Sequence, residues 1–217
     1  MAPLSIGAKM AALTKTRLKK KTRMTVREYF ALPTDAPHET LLIYGELITM
    51  PRPKPEHNRA VHFLGDVIHR WAFHHDLGTV FFDNDLILDE ENALVYAPDL
   101  MFVLKENLGQ YRDDTVYAPV DLAVEILSPS ERPFLQQRKF ADFEVYGIPW
   151  YWILDPDPAQ PVIREHQLVD GKYICNAEVS GDEWFSPGLF PGLVFSLPSL
   201  LKGDLKAAVK GKAKRLM

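Results

Sequence analysis

Two short apolar runs carry acidic residues, and ionised carboxylates in such places are costly unless a cation or a set of hydrogen bonds compensates them. Pro98-Asp99-Leu100-Met101-Phe102-Val103-Leu104 opens with one acid, and Asp121-Leu122-Ala123-Val124-Glu125-Ile126-Leu127 encloses another, Glu125. Ser128-Pro129-Ser130 then breaks the extended chain, and a helical pattern from near Pro133 carries Arg138 and Lys139. Two acids on adjacent strand ends with a lysine close behind are the equipment of a metal-dependent phosphodiesterase. The acids suit Mg²⁺, a hard cation commonly held by one or two carboxylates, waters and substrate phosphate oxygens. The ammonium suits the charge that develops on a phosphate.

The order Pro98-Asp99, Glu125-x-x-Ser128-Pro129-Ser130, Lys139 and Gly147-Ile148-Pro149-x-Tyr151-Trp152-Ile153-x-Asp155-Pro156 resembles the Uma endonuclease family. That family is a branch of the restriction-endonuclease-like, PD-(D/E)XK superfamily, and the similarity runs from about Met24 to Leu201. It implies an α/β fold with a restriction-endonuclease-like core, a mixed central β-sheet flanked by helices. It also implies an endonuclease that hydrolyses phosphodiester bonds of nucleic acid, DNA before RNA, with Mg²⁺ as cofactor and Mn²⁺ as a substitute. Asp99 and Glu125 become metal ligands, the Ile126 backbone carbonyl a third, and Glu46 of the Gly45-Glu46 pair an auxiliary acid. His57 corresponds to a family histidine near the acidic cluster. The plainer alternatives are structural acids at 99 and 125, a solvent-facing Glu46 beside a turn, and a His57 that only caps or hydrogen-bonds at the surface.

One residue departs from the superfamily signature. Its lysine belongs at position 127, where Leu127 stands on the same strand face as Glu125. In this family the lysine has moved to the following helix, as Lys139. Arg138 lies about 100° away around that helix, so one of the two faces the acids. A family tyrosine four residues after the lysine is Phe143 here, with Tyr146 three further on.

The surrounding elements must deliver these residues. Thr25-Val26-Arg27-Glu28 has capping-box form and opens a short helix before Pro33. Leu41–Tyr44 and Glu46–Met50 read as two strands about a glycine turn, and Pro51-Arg52-Pro53-Lys54-Pro55 as a stiff link. Val61, Leu64, Ile68 and Trp71 then mark an amphipathic helix over about Glu56–Leu77. Its histidines 62, 69, 74 and 75 include no pair four apart, the spacing that would favour zinc. Strands follow at 79–82, 85–88 and 98–104. The acids Asp83, Asp85 and Asp89 read as charged hairpin edges. Trp150–Leu154 reads as a central strand whose aromatics pack in the core, and Val162–Leu168 with Lys172–Ala177 as a hairpin turning at Asp170-Gly171.

At 217 residues with 47% apolar content the chain suits one domain. The single cysteine, Cys175, points to the reducing cytoplasm, and no apolar run reaches the ~18 residues of a membrane span. Residues 1–23 hold seven Lys/Arg and no acid, and are expected to be a disordered extension; 202–217 hold six against Asp204 alone, and read as a basic tail. Removing the +7 and +5 of the two ends from the total of -4 leaves the 24–201 domain at -16. Such a body does not attract a nucleic-acid backbone by its average field, so the basic ends, a local patch or a partner must do so. The charge and Leu127 favour a catalytically silent binding or regulatory module, and the charge also suits a hydrolase of smaller phosphate esters. A homodimer would fit an enzyme that cuts both strands, though no stretch demonstrates one.

Overall fold

The computed structural model describes residues 23–33, 40–112, 115–128 and 133–217. The expected extension, apart from Arg23, and the Pro129-Ser130 break lie outside the described residues.

Helix α1 (Val26–Phe30) begins with the anticipated capping box: Thr25 Oγ1 accepts from Glu28 N at 3.2 Å, while the Glu28 carboxylate accepts from Thr25 N at 2.8 Å. Strands β1 (Thr40–Ile43) and β2 (Glu46–Thr49) form a hairpin through Tyr44 and Gly45. Both turn residues have positive φ (49° and 77°), as a two-residue primed turn requires. Helix α2 (Pro55–His74) starts with proline at its first position and buries Leu64, Val67, Ile68 and Trp71 on one side. Then come β3 (Gly78–Phe82), β4 (Leu86–Asp89), β5 (Leu94–Tyr96), β6 (Leu100–Leu104), β7 (Tyr111–Arg112), β8 (Thr115–Tyr117) and β9 (Leu122–Ile126). Helix α3 (Pro133–Val145) leads to β10 (Trp150–Asp155), β11 (Val162–Val169) and β12 (Lys172–Ser180). The chain closes with β13 (Trp184–Phe185), β14 (Phe195–Ser196), α4 (Leu197–Lys202) and α5 (Leu205–Ala208).

The expected α/β class is observed, but with two large mixed sheets in place of a single central one. The first has the order β2-β1-β5-β4-β8-β7, and the second β12-β11-β10-β9-β6-β3. In the second sheet β9 and β10 are parallel, joined across α3, while β6 runs antiparallel to β9. Its two faces are both apolar: Leu100, Phe102, Leu122 and Val124 pack against α2, while Met101, Val103, Ala123 and Tyr151 pack against the first sheet and α3. Helix α1 covers the far face of the first sheet through Val26 and Tyr29. Strands β5, β7 and β8 escape pattern reading because they have two or three residues each, too few for an alternation to register.

Residues 202–217 are not a tail. They pack on the α2 side of the second sheet, with Ala208, Val209 and Ala213 buried and Val209 bridged to Phe195. Lysines and arginines separate these small apolar residues, so the charge count hides an apolar anchor whose cations point outward. Among the described residues no helix is long and apolar enough to cross a membrane.

His166 on β11 is buried among Phe140, Tyr151 and Tyr173. Burial lowers its pKa; Arg164 adds to this, while a hydrogen bond to the Tyr151 backbone and the Glu178 charge oppose it. With a folded pKa below the unfolded value near 6.5, its neutral form stabilises the protein above that pH. The contribution is lost as pH falls from there through the folded pKa. Denaturant unfolding at pH 7.5 and 5 is expected to show a larger loss in wild type than in His166→Gln. Identical pH dependences would remove His166 as the cause.

Candidate active site

The pairing of the second sheet brings the two carboxylates together. Leu100 pairs with Val124 and Met101 with Ala123, so the next rung sets Asp99 opposite Glu125. Side chains opposite each other on adjacent antiparallel strands stand roughly 5 Å apart at Cβ. Asp83, just past the end of β3, lines the same cleft.

Like charges on one row repel, and specific partners offset the repulsion. Lys139 Nζ reaches Glu125 Oε2 at 2.5 Å, with both side chains about 5% exposed. Asp99 accepts from Ile126 N at 2.7 Å and lies 3.2 Å from His57 Nε2. Burial alone would lower the pKa of His57; the hydrogen bond and charge of Asp99, then Asn58 and Glu125, outweigh it and raise it. In a strand the N–H and C=O of one residue leave the same edge. Ile126 points its N–H at Asp99, so its carbonyl opens beyond the end of β6 on that side.

These groups line an open cleft of about 410 Å³ with Asp83, Ser128 and the apolar Leu41 and Phe82. Pro51 and Pro53 of the stiff link form its wall. A second cleft of about 530 Å³ shares His57 and Ser128 with the first and adds Lys54, Leu127 and Asp155. Leu127 thus faces the second cleft, and the cation beside Glu125 comes from α3.

Helix α3 is anchored by another carboxylate. Asp142, one turn beyond Lys139, accepts from Tyr96 Oη at 2.7 Å, Tyr44 Oη at 3.2 Å and Arg138 Nε at 3.0 Å. Burial, then the bond to and charge of Asp142, push the Tyr96 phenol far up, so it remains a neutral donor. Arg138 faces this network, with its guanidinium 4.6 Å over the Tyr44 ring, rather than the cleft. Phe143 is core, packed on Tyr96 and Tyr151, and Tyr146 donates to Asp89.

Glu46 is not brought to the cleft. It pairs with Ile43 at the turn end of the β1–β2 hairpin and is exposed, whereas Leu41 and Met50 face the cleft from the open end. Four residues separate Glu46 from Met50, about 13 Å along a strand. Asp83, which reads from sequence as a charged hairpin edge, follows β3 with positive φ and lines the cleft, while its neighbours Asp85 and Asp89 accept from Tyr29 and Tyr146.

A dication finds fitting donors here: two hard carboxylates, a peptide carbonyl, and an open cleft that admits water and phosphate oxygens. Among the described residues no three His, Cys, Asp or Glu side chains group closely enough to hold an ion by themselves. The set therefore suits Mg²⁺, which keeps several waters, better than a metal that wants an all-protein cage.

Residues 26–198 match the model of the Uma2 family, described as "Putative restriction endonuclease". Among solved structures, the chain is similar to a crystal structure from Anabaena variabilis ATCC 29413 titled "a putative nuclease belonging to DUF820". The identity is 17% and the TM-score 0.64, over 82% of this chain and 98% of that one, a likeness of fold. No curated protein matches the chain.

Removing one member of a buried ion pair leaves the other uncompensated, at about 3–5 kcal/mol. Lys139→Met is expected to destabilise the protein on that scale, and Glu125→Leu/Lys139→Met to recover most of it. Calorimetric unfolding of the three proteins checks this. A double variant no more stable than Lys139→Met would show that the pair is not the source of the loss.

Proposed function

The chain belongs to the Uma2 family, and from that premise and the geometry of the cleft we propose that it is a nuclease, a Mg²⁺-dependent endonuclease acting on DNA. The observation that carries the reading is the Asp99–Glu125 row with the buried Lys139 ion pair at its end, all in one open cleft. A structural role alone needs no such row beside solvent; a phosphodiesterase does.

Asp99, Glu125 and the Ile126 carbonyl would hold the ion, with Mn²⁺ as a substitute. When bound, the dication polarises the phosphorus centre, lowers the pKa of a bound water and offsets charge on the leaving oxygen. The chain's own residues do the rest. Lys139 pairs with Glu125 and brings positive charge to the place where the phosphate gains negative charge. His57 and the Ile126 N–H orient the two Asp99 oxygens, so the carboxylate enters the reaction without rotating. The apolar Leu41 and Phe82 limit water on one side of the cleft. A body of charge -16 favours a second reading, hydrolysis of smaller phosphate esters.

Purified protein with Mg²⁺ or Mn²⁺ is expected to cut plasmid DNA. Asp99→Asn and Glu125→Gln should abolish both cutting and calorimetric metal binding, and Lys139→Met should slow cutting by about 10²–10³-fold. Glu46→Gln should cut like wild type, because Glu46 lies outside the cleft. Hydrolysis of mononucleotide esters without plasmid cutting would replace the proposal by the second reading. Neither metal uptake at millimolar concentration nor cutting would leave a silent binding module.

A further inference from the structure

The folded C-terminal segment makes a surface opposite in sign to the acidic 24–201 domain. Lys202, Lys206, Lys210, Lys212, Lys214 and Arg215 are all exposed on it. Its backbone is tied to α2: Arg59 Nη2 donates to the Lys202 carbonyl at 3.5 Å and Arg70 Nη1 to the Leu216 carbonyl at 3.3 Å. Phe63 of α2 lies against Gly203, where an added Cβ would meet the ring at 2.8 Å. Arg59 and Arg70 therefore belong to the same face as the six C-terminal cations.

The acids of this face are already engaged. The Asp204 carboxylate accepts from Ala207 N at 3.0 Å and caps α5, and Asp66 pairs with Arg70 at 2.8 Å. Several other described cations have acidic partners of their own: Lys105 with Asp76, Arg164 with Glu178, Lys172 with Glu144. Lys206, Lys212 and Lys214 have no acidic partner among the described residues, and the apolar anchors Ala208, Val209 and Ala213 fix the backbone that carries them.

Along α2 the face runs from Arg59 to Arg70, eleven residues apart and so on one side of the helix, about 16 Å at 1.5 Å per residue. One strand of a duplex places about five phosphates along that length of axis.

We propose that this face, formed by residues 202–217 with Arg59 and Arg70, is a docking surface for the sugar-phosphate backbone of duplex nucleic acid outside the catalytic cleft. The proposal deepens the nuclease reading and rests on it for the choice of partner. Contacts to phosphate fix register and supply sequence-independent affinity, and they do so by releasing counterions. The 24–201 domain, at net charge -16, offers no attraction by its average field, and this anchored patch supplies it locally.

The test compares wild type with Lys206→Gln/Lys212→Gln/Lys214→Gln and with the matching triple Lys→Arg protein. Anisotropy of a labelled 20-base-pair duplex is followed from 50 to 300 mM NaCl without divalent metal. The Gln variant is expected to bind at least tenfold more weakly at low salt, with the slope of log K against log salt reduced by about 2–3. The Arg variant should match wild type. Hydrolysis of bis(4-nitrophenyl) phosphate with Mn²⁺ reads the cleft alone and should be the same in all three. Loss of duplex binding in the Gln variant with no ester hydrolysis in any protein would support the surface and sink the nuclease. Unchanged duplex affinity and salt slope in the Gln variant would overturn the surface, whatever the ester shows. So would retention on phosphatidylserine vesicles with no binding to the duplex.

Discussion

Two carboxylates on one rung of a buried sheet are the constraint that the rest of the molecule answers to. Strand β9 is buried at every position, so Glu125 keeps its charge only if another element delivers a cation to it. That element is α3, which connects β9 to β10 and crosses between the two sheets. Its buried stripe is Leu135, Lys139, Asp142 and Phe143, spaced as a helix face should be but half ionic. One end of the stripe neutralises Glu125. The other end anchors the helix to Tyr96 of β5 and Tyr44 of the β1–β2 turn.

The first sheet acquires a purpose from this arrangement. It supplies the phenols that hold Asp142, and it provides an apolar layer against the inner face of the second sheet. Moving α3 by one residue along its axis would shift Lys139 by about 1.5 Å and turn it about 100°, which would break the pair with Glu125. Two carboxylates, Glu125 beside the Lys139 ammonium and Asp142 beside two phenols and the Arg138 guanidinium, fix the helix at points one turn apart. On the outer side, Glu144 ties the same helix to Lys172 and to the Tyr173 backbone N–H of β12. The site is thus held by secondary structure on every side, with Asp99 oriented by a strand N–H and a helix histidine.

Charge is partitioned with comparable economy. Several cations of the described body are paired with internal acids or stacked on aromatic rings, as Lys139 is with Glu125 and Arg112 on Tyr117. Others gather on the C-terminal segment, whereas the Asp99–Glu125 rung is acidic. An acidic cleft repels a bare phosphate backbone, so on the proposed reading capture falls to the C-terminal surface and not to the cleft.

Local sequence already showed where most of the elements lie and which of them carry acids and cations. The Asp99 and Glu125 positions, Lys139 on the following helix, the capping box at Thr25 and the glycine turns at 45 and 171 are local features, expressed within a few residues. Local spacing carries no information about which strands become neighbours. The Asp99–Glu125 rung therefore exists only through the β6–β9 register, and Glu46 lies outside the cleft because its hairpin presents the opposite end. The role of Asp142 was hidden for the same reason, since its phenolic partners lie 46 and 98 residues away. The C-terminal segment read as a tail because its anchors are small and scattered among lysines, and only packing against the α2 side of the sheet makes them a core. Tertiary structure decided these points because pairing register and burial depend on contacts between distant parts of the chain, which no local pattern encodes.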